Sequence, residues 1–453
     1  GGGAQVPGMV AKKTGQKSPR GEGQAKSSPG SRGASPSSRG SKISEEKGVM
    51  SQLLGASLVF NILLAVLVAY LIGTSPSGVS PPVAVTEGAV PPWPIFRVVV
   101  GLGDLLFSIA RATNPPQVQM IGLATEYEKS GVTYAFSKLG LADYLKQKQM
   151  TCTELAKEAA LYEEYLCRFM LASEKIGLVK KGGDGKWLTT GLGELLEADR
   201  PDSKKYFIQY LNEEPREAFY SLTTAIKEGK SGFMVKFGDE HFPWYEKNSP
   251  EGSKQFDKAM QGLTVDSGMA IIQEVDYSQS KMFCDIGGGN GANMAIVLKH
   301  YPKLKGKVVD LGYVVKQGKQ MLENAGVLDR AGLVEADFFK SFPDEVKECD
   351  TYFMKHILHD WNDEQSITIL KNMAATMNSG DQVVIAEQVL GFAGNEMEVA
   401  KHLMDMLMLS ICPPGAKERS IPQYTELLEA AGLKFYKFLP TRSIYGVVIG
   451  IKP

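Results

Sequence analysis

Residues 283–291 read Phe-Cys-Asp-Ile-Gly-Gly-Gly-Asn-Gly, and this stretch decides the fold of the chain. A short apolar run ends at Asp285, a loop with four glycines follows, and a helical pattern begins at residue 292. Because glycine has no side chain, it lets the backbone turn sharply and leaves its N–H groups open to a ligand. The stretch predicts a strand, a loop suited to a flat or anionic ligand, and a helix in succession.

The glycine spacing distinguishes between nucleotide-binding loops. Gly287, Gly289 and Gly291 form G-x-G-x-G after an acidic strand end, whereas the dinucleotide fingerprint is G-x-G-x-x-G. A phosphate P-loop is excluded, since no Gly-Lys-Ser/Thr follows. The pattern resembles the first motif of S-adenosylmethionine (SAM)-dependent methyltransferases. A tight strand-to-helix turn that binds no ligand is the alternative, and the loop alone leaves it open.

A second carboxylate follows the next apolar run. Asp310 ends the stretch Lys307-Val-Val-Asp. In doubly wound sheets an acid at this place accepts hydrogen bonds from the ribose hydroxyls of a nucleotide. Together with the preceding glycine loop, Asp310 predicts a nucleoside-binding site.

Length and composition limit the class of protein. The 453 residues are 43% hydrophobic and 22% charged, which allows two or three folded domains. The net charge of −1 argues against a nucleic-acid-binding protein. The five cysteines show no C-x-x-C spacing, so neither a zinc site nor a disulfide framework is indicated. We therefore expect free thiols and a reducing compartment.

The N-terminal part differs from the rest. Residues 1–50, rich in Gly, Ser, Pro, Lys and Arg, predict a disordered basic tail or a transit-like segment. Residues 53–72 contain no charge and are long enough to cross a bilayer, so 51–74 is predicted as a single transmembrane helix. A buried core helix is the alternative. Basic residues before this segment place the N-terminus on the cytosol-like side of an organelle membrane, chloroplast or mitochondrion.

The remaining chain divides into three predicted parts. Residues 75–115 are predicted to form a linker and an apolar helix at 93–111. Because Arg97 and Asp104 interrupt the apolar run, we expect this helix to pack in a dimer or at a membrane surface rather than to span the bilayer. Residues 116–255 combine helices with a hairpin at 178–189 and predict a winged-helix domain. Its would-be recognition helix is acidic, which argues against DNA binding.

Residues 256–453 alternate strands with helices and predict the α/β class, a doubly wound and mostly parallel sheet. The last two strands follow each other closely and predict an antiparallel hairpin at the edge. Predicted strands lie at 282–286, 307–311, 332–336, 351–355, 382–387, 434–439 and 444–451. Predicted helices lie at 294–300, 315–324, 363–378, 396–410 and 421–431.

Candidate catalytic residues follow the fourth predicted strand. His359 lies in Met354-Lys-His-Ile-Leu-His-Asp-Trp, at the sheet edge where open α/β sheets bind ligands. Methyl transfer to oxygen needs a base of near-neutral pKa, which histidine supplies. A carboxylate beside the imidazole would fix its tautomer, and Glu387 and Glu418 are the candidates. Taken singly, each of the three is more often structural, and that alternative stays open.

An ordered set of motifs makes the resemblance specific. The motifs are Asp285-Ile-Gly-Gly-Gly-Asn-Gly, Tyr301-Pro-Lys-Leu-Lys-Gly, Val309-Asp-Leu, Ala336-Asp-Phe-Phe, Lys355…His359-Asp-Trp-Asn-Asp, Ala386-Glu and Lys417-Glu-Arg-Ser. Their order resembles that of plant-type O-methyltransferases, the family of the caffeic acid, isoflavone and hydroxyindole (acetylserotonin) enzymes. The resemblance extends from about residue 116 to the end of the chain.

This resemblance implies a fold and a site. The fold is the Rossmann-like sheet of SAM methyltransferases behind a winged-helix dimerisation domain. The glycine loop would hold the methionine part of SAM, Asp310 the ribose, and Asp337 the adenine amine. His359 would be the general base, Glu387 and Glu418 would flank it, and no metal would be needed. The implied cofactor-binding set is Asp285, Gly287, Gly289, Gly291, Asp310, Asp337, Phe338 and Lys355.

Departures from the family pattern leave two functions open. Gly312 stands where the family usually has Pro, Ala336 where it has Gly, and Gly415-Ala416 where it has Gly-Gly. One function is a membrane-anchored, homodimeric O-methyltransferase for a hydroxyl of a small aromatic or lipophilic acceptor. The other is a catalytically silent subunit of a larger organelle membrane complex.

Overall fold

A computed structural model describes residues 91–453, apart from the side chains of Asp266, Asn395 and Glu396. The predicted basic tail at 1–50 and the predicted transmembrane helix at 51–74 lie outside the described residues. The elements below are numbered from the first described helix.

Two long helices open the described chain. They are α1 (Trp93–Thr113) and α2 (Pro116–Lys138), and each has a proline in its first turn, where the fixed φ of proline suits a helix. The helix predicted at 93–111 is thus confirmed. No residue of α1 is buried among the described residues. By length and composition alone, α1 could also cross a membrane, and its packing in a dimer or at a membrane surface stays a prediction.

The winged-helix arrangement follows. Its elements are α3 (Leu141–Gln147), α4 (Cys152–Glu158), α5 (Glu163–Lys175), β1 (Val179–Lys181) and β2 (Trp187–Thr189). Thr151 and Glu154 form the capping box that starts α4. β1 and β2 pair antiparallel, and Trp187 packs into a core with Leu155 and Met170. The predicted helices and hairpin are confirmed.

A run of helices connects this unit to the sheet. Its members are α6 (Gly191–Glu194), α7 (Lys205–Leu211), α8 (Glu214–Phe219), α9 (Leu222–Glu228), α10 (Gly232–Phe237), α11 (His241–Asn248) and α12 (Pro250–Ile272). The predicted domain boundary between residues 255 and 256 falls inside α12. The division into two domains stays a prediction.

The central sheet has seven strands. They are β3 (Met282–Ile286), β4 (Lys305–Asp310), β5 (Ala331–Glu335), β6 (Thr351–Lys355), β7 (Gln382–Glu387), β8 (Lys434–Pro440) and β9 (Gly446–Ile451), in the spatial order β5-β4-β3-β6-β7-β9-β8. The first five in this order are parallel, and β9 runs antiparallel to both neighbours. The predicted doubly wound sheet and its terminal hairpin are confirmed. The strand order reverses beside β3, where such sheets bind ligands.

Helices cover both faces of the sheet. They are α13 (Ala292–His300), α14 (Gly312–Ala325), α15 (Asp363–Ala374), α16 (Asn395–Ile411) and α17 (Ile421–Ala430). Successive residues of β7 enter opposite cores, since Val383 packs with α15 and α17 whereas Val384 packs with α12 and α13. Burial on both faces explains why β7 has a nearly continuous apolar sequence.

The prediction that the cysteines are free is wrong for four of the five. Disulfides join Cys152 to Cys167 and Cys284 to Cys349, while Cys412 is free and buried. The Cα atoms of the two pairs are 5.6 and 5.9 Å apart, because each pair sits on neighbouring elements that only the tertiary fold brings together. The spacing rule failed because it considers cysteines close in sequence.

Candidate active site

The glycine loop joins β3 to α13 at the carboxyl edge of the sheet. Gly287, Gly289 and Gly291 have φ values of 69°, 58° and 79°, in the left-handed region that other residues rarely adopt. A Cβ at position 287 would collide with the side chain of Ile357. The Gly287 N–H donates to Val309 O at 2.8 Å, which ties the loop to β4.

Asp310 ends β4 and holds the loop. Its Oδ2 accepts from Gly289 N at 2.8 Å, and its Oδ1 accepts from Leu311 N at 2.7 Å. Burial raises the pKa of Asp310 despite these two bonds. The carboxylate keeps unused lone pairs, so it can still accept hydroxyl hydrogen bonds.

Asp285 and Lys355 lie below the loop on β3 and β6. Burial and the nearby Asp310 raise the pKa of Asp285 to about 7, and its Oδ2 has no hydrogen-bond partner among the described residues. Burial lowers the pKa of Lys355 to about 8, although Glu387 and Asp285 act in the opposite direction. Its Nζ lies 3.4 Å from Thr264 Oγ1.

Asp337 and Phe338 follow β5. The Asp337 Oδ1 accepts from Phe339 N at 3.0 Å, and Lys340 Nζ lies 3.1 Å from Oδ2. Partial burial would raise the pKa of Asp337, but these hydrogen bonds outweigh it and lower the pKa. Phe338 packs edge-on against Trp361, with ring centroids 6.0 Å apart. Both predicted residues line the same cavity as the glycine loop.

His359 sits on a short 3-10 turn, Leu358–Asp360, after β6. Its Nδ1 is 2.9 Å from Glu418 Oε1, and its Nε2 is 3.5 Å from Asp360 Oδ1. Because Nδ1 is engaged by Glu418, Nε2 is the ring nitrogen that can take a proton from a ligand. The structure thus brings together residues that are 59 positions apart.

The two predicted carboxylates, Glu387 and Glu418, make different hydrogen bonds. Glu387 Oε1 accepts from the backbone N–H groups of Ile357 and Leu358, both at 3.0 Å, so Glu387 fixes the turn that carries His359. Its Oε2 is 3.9 Å from His359 Nδ1, beyond hydrogen-bond distance. Glu418 therefore orients the imidazole, and Glu387 orients its backbone.

Electrostatics in this cluster favour a positive imidazole. Burial lowers the pKa of His359, but Glu387, Glu418 and Asp360 outweigh it and raise the pKa to about 10. Burial raises the pKa of Glu387 to about 7. The ligand atoms of His359, Glu387 and Glu418 lie within 4.8 Å of one another, the donor set of a small cation site. The hydrogen bond between His359 and Glu418 accounts for their closeness without an ion.

We did not predict from the sequence the hydrogen bonds that hold the turn at 358–360, a set of bonds called the clamp below. The Lys417 N–H donates to His359 O at 3.0 Å. Arg419 is fully buried and donates to Leu358 O and Trp361 O, both at 2.7 Å. The Lys-Glu-Arg-Ser motif contained the signal, but only its glutamate was assigned a role. His356 was missed as well: it has a φ of 55° and stacks on His359 at 4.8 Å.

One cavity of about 520 Å³ connects these groups. At one end it is lined by the glycine loop, Asp310 and Asp337, and His359 lies in its wall. Glu387 and Glu418 stand behind His359. The other end is apolar and aromatic; its walls come from α7, α11, α12 and α16 and include Phe207, Tyr210, Phe242, Phe256, Met404 and Leu407. None of these six was predicted as a site residue.

Comparison with known proteins agrees with this arrangement. A model of the O-methyltransferase domain matches residues 219–434. The phenazine O-methyltransferase of Lysobacter antibioticus is 30% identical over 329 residues, which cover 73% of this chain and 94% of that enzyme. This chain belongs to the O-methyltransferase family. The predicted resemblance is confirmed, and the protein is a SAM-dependent O-methyltransferase.

Solved structures support the fold of this O-methyltransferase. The structure titled LaPhzM superposes with a TM-score of 0.70 at 28% identity and covers 75% of this chain and all of that one. An O-methyltransferase from neocarzinostatin biosynthesis, solved with SAM and a naphthoic acid, superposes with a TM-score of 0.59 at 25% identity, over 72% and 96% of the two chains.

The residues of this O-methyltransferase fit SAM. A Cβ built at Gly289 meets no atom within 4 Å, so the loop leaves open space beside the cavity. Asp310 lines the cavity and keeps lone pairs that can accept further hydrogen bonds, and the buried Asp285 Oδ2 has no hydrogen-bond partner among the described residues. At Gly312, a Cβ would meet the carboxyl group of Glu335, the far end of a flexible side chain.

Proposed function

We propose that this enzyme moves the methyl group of SAM to a hydroxyl of a small aromatic or lipophilic acceptor, with His359 as general base. The observation that supports this most is the single cavity shared by the glycine loop and His359. The relative that acts on a phenazine, by its name, methylates an aromatic molecule. The apolar end of the cavity suits the same class of acceptor.

The cofactor residues take the roles that the resemblance implied. The loop residues Gly287, Gly289 and Gly291 approach the methionine part of SAM, with Asp285 beneath them. Asp310 accepts the ribose hydroxyls, in the position where it already fixes Gly289. Asp337 accepts the adenine amine, Phe338 packs against the adenine ring, and Lys355 closes the buried side of the site.

When bound, SAM supplies an activated methyl group. His359 Nε2 accepts the proton of the acceptor hydroxyl as the oxygen attacks, and Glu418 stabilises the resulting imidazolium through Nδ1. Glu387 and Arg419 keep the turn in place, so that little reorganisation is needed. The catalytic base has to be neutral, and the positive charge of SAM, when bound in the cavity that His359 lines, would lower the pKa of His359 from its raised value.

The test is His359→Ala. Methylation should fall by about 10²- to 10⁴-fold, the usual contribution of a general base, while SAM binding by calorimetry stays unchanged. His402→Ala changes an exposed histidine on α16 and serves as the matched control. Full activity of His359→Ala would refute the mechanism. Failure of the wild-type protein to bind SAM would instead support the silent-subunit alternative.

Membrane attachment and dimerisation complete the proposal. Residues 51–74 anchor the enzyme in an organelle membrane as a single span, and residues 116–255 dimerise. Exposed apolar side chains on α1 support a surface that is covered in the assembled protein; they are Val98, Val99, Leu105, Leu106, Phe107 and Ile109. Flotation with vesicles, with and without residues 51–74, tests the anchor. Analytical ultracentrifugation in detergent tests the dimer.

A further inference from the structure

We infer that the acceptor of this enzyme is uncharged: a hydroxylated aromatic compound without a carboxylate, sulfonate or phosphate group. This inference rests on the proposed function and specifies its substrate class. Three observations on the described residues support it: the cations that line the cavity, the polar pair Tyr210 and His241 at its apolar end, and the charges around His359.

The apolar end of the cavity offers no lysine or arginine, among the described residues, to an acidic acceptor. Among the described residues that line the cavity as a whole, Lys355 is the one lysine or arginine. Lys355 is the last residue of β6 and lies on the cofactor side of the cavity. The negative charge of Asp285 acts on Lys355, and the Lys355 Nζ contacts Thr264 and the ring of Tyr445. An anionic group at the apolar end would therefore be buried without a partner, which is strongly unfavourable.

The two polar side chains considered at the apolar end of the cavity are neutral. Tyr210 and His241 are both buried, and the Tyr210 hydroxyl is 2.7 Å from His241 Nε2. Burial keeps the imidazole uncharged, since it lowers the pKa of His241 to about 3. Burial likewise raises the pKa of Tyr210 well above its usual value. This pair offers hydrogen bonds to an acceptor but no charge.

The charges around the base do not attract an anion. Glu387, Glu418 and Asp360 surround His359, and the Cys412 thiol donates to Asp360 Oδ1 at 3.3 Å. Three carboxyl groups beside one imidazole give this wall a negative or neutral potential.

Amide and acid pairs of equal shape test the inference. Dihydroxybenzamide is compared with dihydroxybenzoate, and a hydroxynaphthamide with the matching naphthoate, using the full-length enzyme and SAM. The amides should be methylated with a kcat/KM at least about 100-fold above the acids. Calorimetric binding of each compound in the presence of S-adenosylhomocysteine extends the comparison to compounds that do not turn over.

A second experiment adds a positive charge to the apolar end of the cavity. Met404 and Leu407 line the apolar end from α16, whereas Leu403 is 60% exposed outside it. Met404→Arg and Leu407→Arg should shift the acid-to-amide ratio toward the acids by at least about tenfold, since they provide the missing counterion. Leu403→Arg adds the same charge outside the cavity and should leave the ratio unchanged.

The outcomes separate this inference from the proposed function. Acids that react or bind within about threefold of the amides in the wild-type enzyme would overturn the inference and leave the methyltransferase function intact. SAM binding without methylation of any phenol would instead refute the proposed acceptor class. Equal ratios for Leu407→Arg and Leu403→Arg would show that charge at this wall does not select the acceptor, and would also overturn the inference.

Discussion

The unequal roles of the two glutamates beside His359 can be measured. We expect Glu418→Gln to reduce the plateau of kcat more than Glu387→Gln does. Glu418 makes the direct bond to His359 Nδ1, at 2.9 Å between buried groups. Glu387 stands 3.9 Å from Nδ1 and uses its Oε1 for two backbone N–H groups.

The size of the effect follows from these contacts. Glutamine at position 418 keeps a neutral hydrogen bond but loses its charge assistance, a difference of about 1–2 kcal/mol. This corresponds to a loss of roughly 5- to 30-fold in kcat, since 1.36 kcal/mol is a factor of ten. Glutamine at position 387 keeps the two backbone bonds through its carbonyl oxygen, so the turn stays in place and the loss should be smaller.

The pH dependence gives an independent readout. Burial lowers the pKa of His359, while Glu387, Glu418 and Asp360 raise it to about 10. Removal of one negative charge lowers this pKa, so more of the base is neutral at a given pH. The acid limb of kcat/KM should therefore move to lower pH in both variants.

Initial rates measured between about pH 6 and pH 10 with saturating SAM provide both readouts. Calorimetry with SAM is the control, because neither glutamate lines the cavity and cofactor affinity should stay unchanged. A plateau that falls equally in both variants would refute the assigned roles. An acid limb that moves to higher pH in Glu418→Gln would refute the electrostatic argument.

Two further changes test the loop and the clamp. Gly287→Ala should weaken SAM binding by at least about tenfold, because a left-handed alanine costs about 1–2 kcal/mol and its Cβ also meets Ile357. Calorimetry with SAM measures this loss. The control is Gly183→Ala in the exposed tip of the β1–β2 hairpin, where a Cβ meets nothing within 4 Å and SAM binding should not change. Arg419→Lys should lower the free energy of unfolding by about 2–4 kcal/mol, because a lysine cannot donate to both Leu358 O and Trp361 O. Denaturant titration measures that loss, and a variant as stable as the wild type would contradict the clamp.

Much of the fold could be predicted from the sequence. β3, β6 and β7 begin and end at the predicted residues, since apolar runs between turn signals define strands whose two faces are both buried. The capping box of Thr151 and Glu154 is a local feature of the same kind, because its bonds join residues three positions apart. Element ends were predicted less well: α14 begins at residue 312 rather than 315, because the hydrophobic period does not mark the first turn of a helix.

The sequence by itself determined the glycine loop, the carboxylates at the strand ends and the order of strands and helices. These are local properties, encoded in backbone freedom and in hydrophobic period. The tertiary structure decided the cysteine pairing, the different hydrogen bonds of Glu387 and Glu418, the bonds of Arg419 to the turn that carries His359, and the apolar end of the cavity, built by helices far apart in the chain. Each of these depends on distances between atoms that are remote in sequence, and only the packing of the sheet and its helices sets those distances.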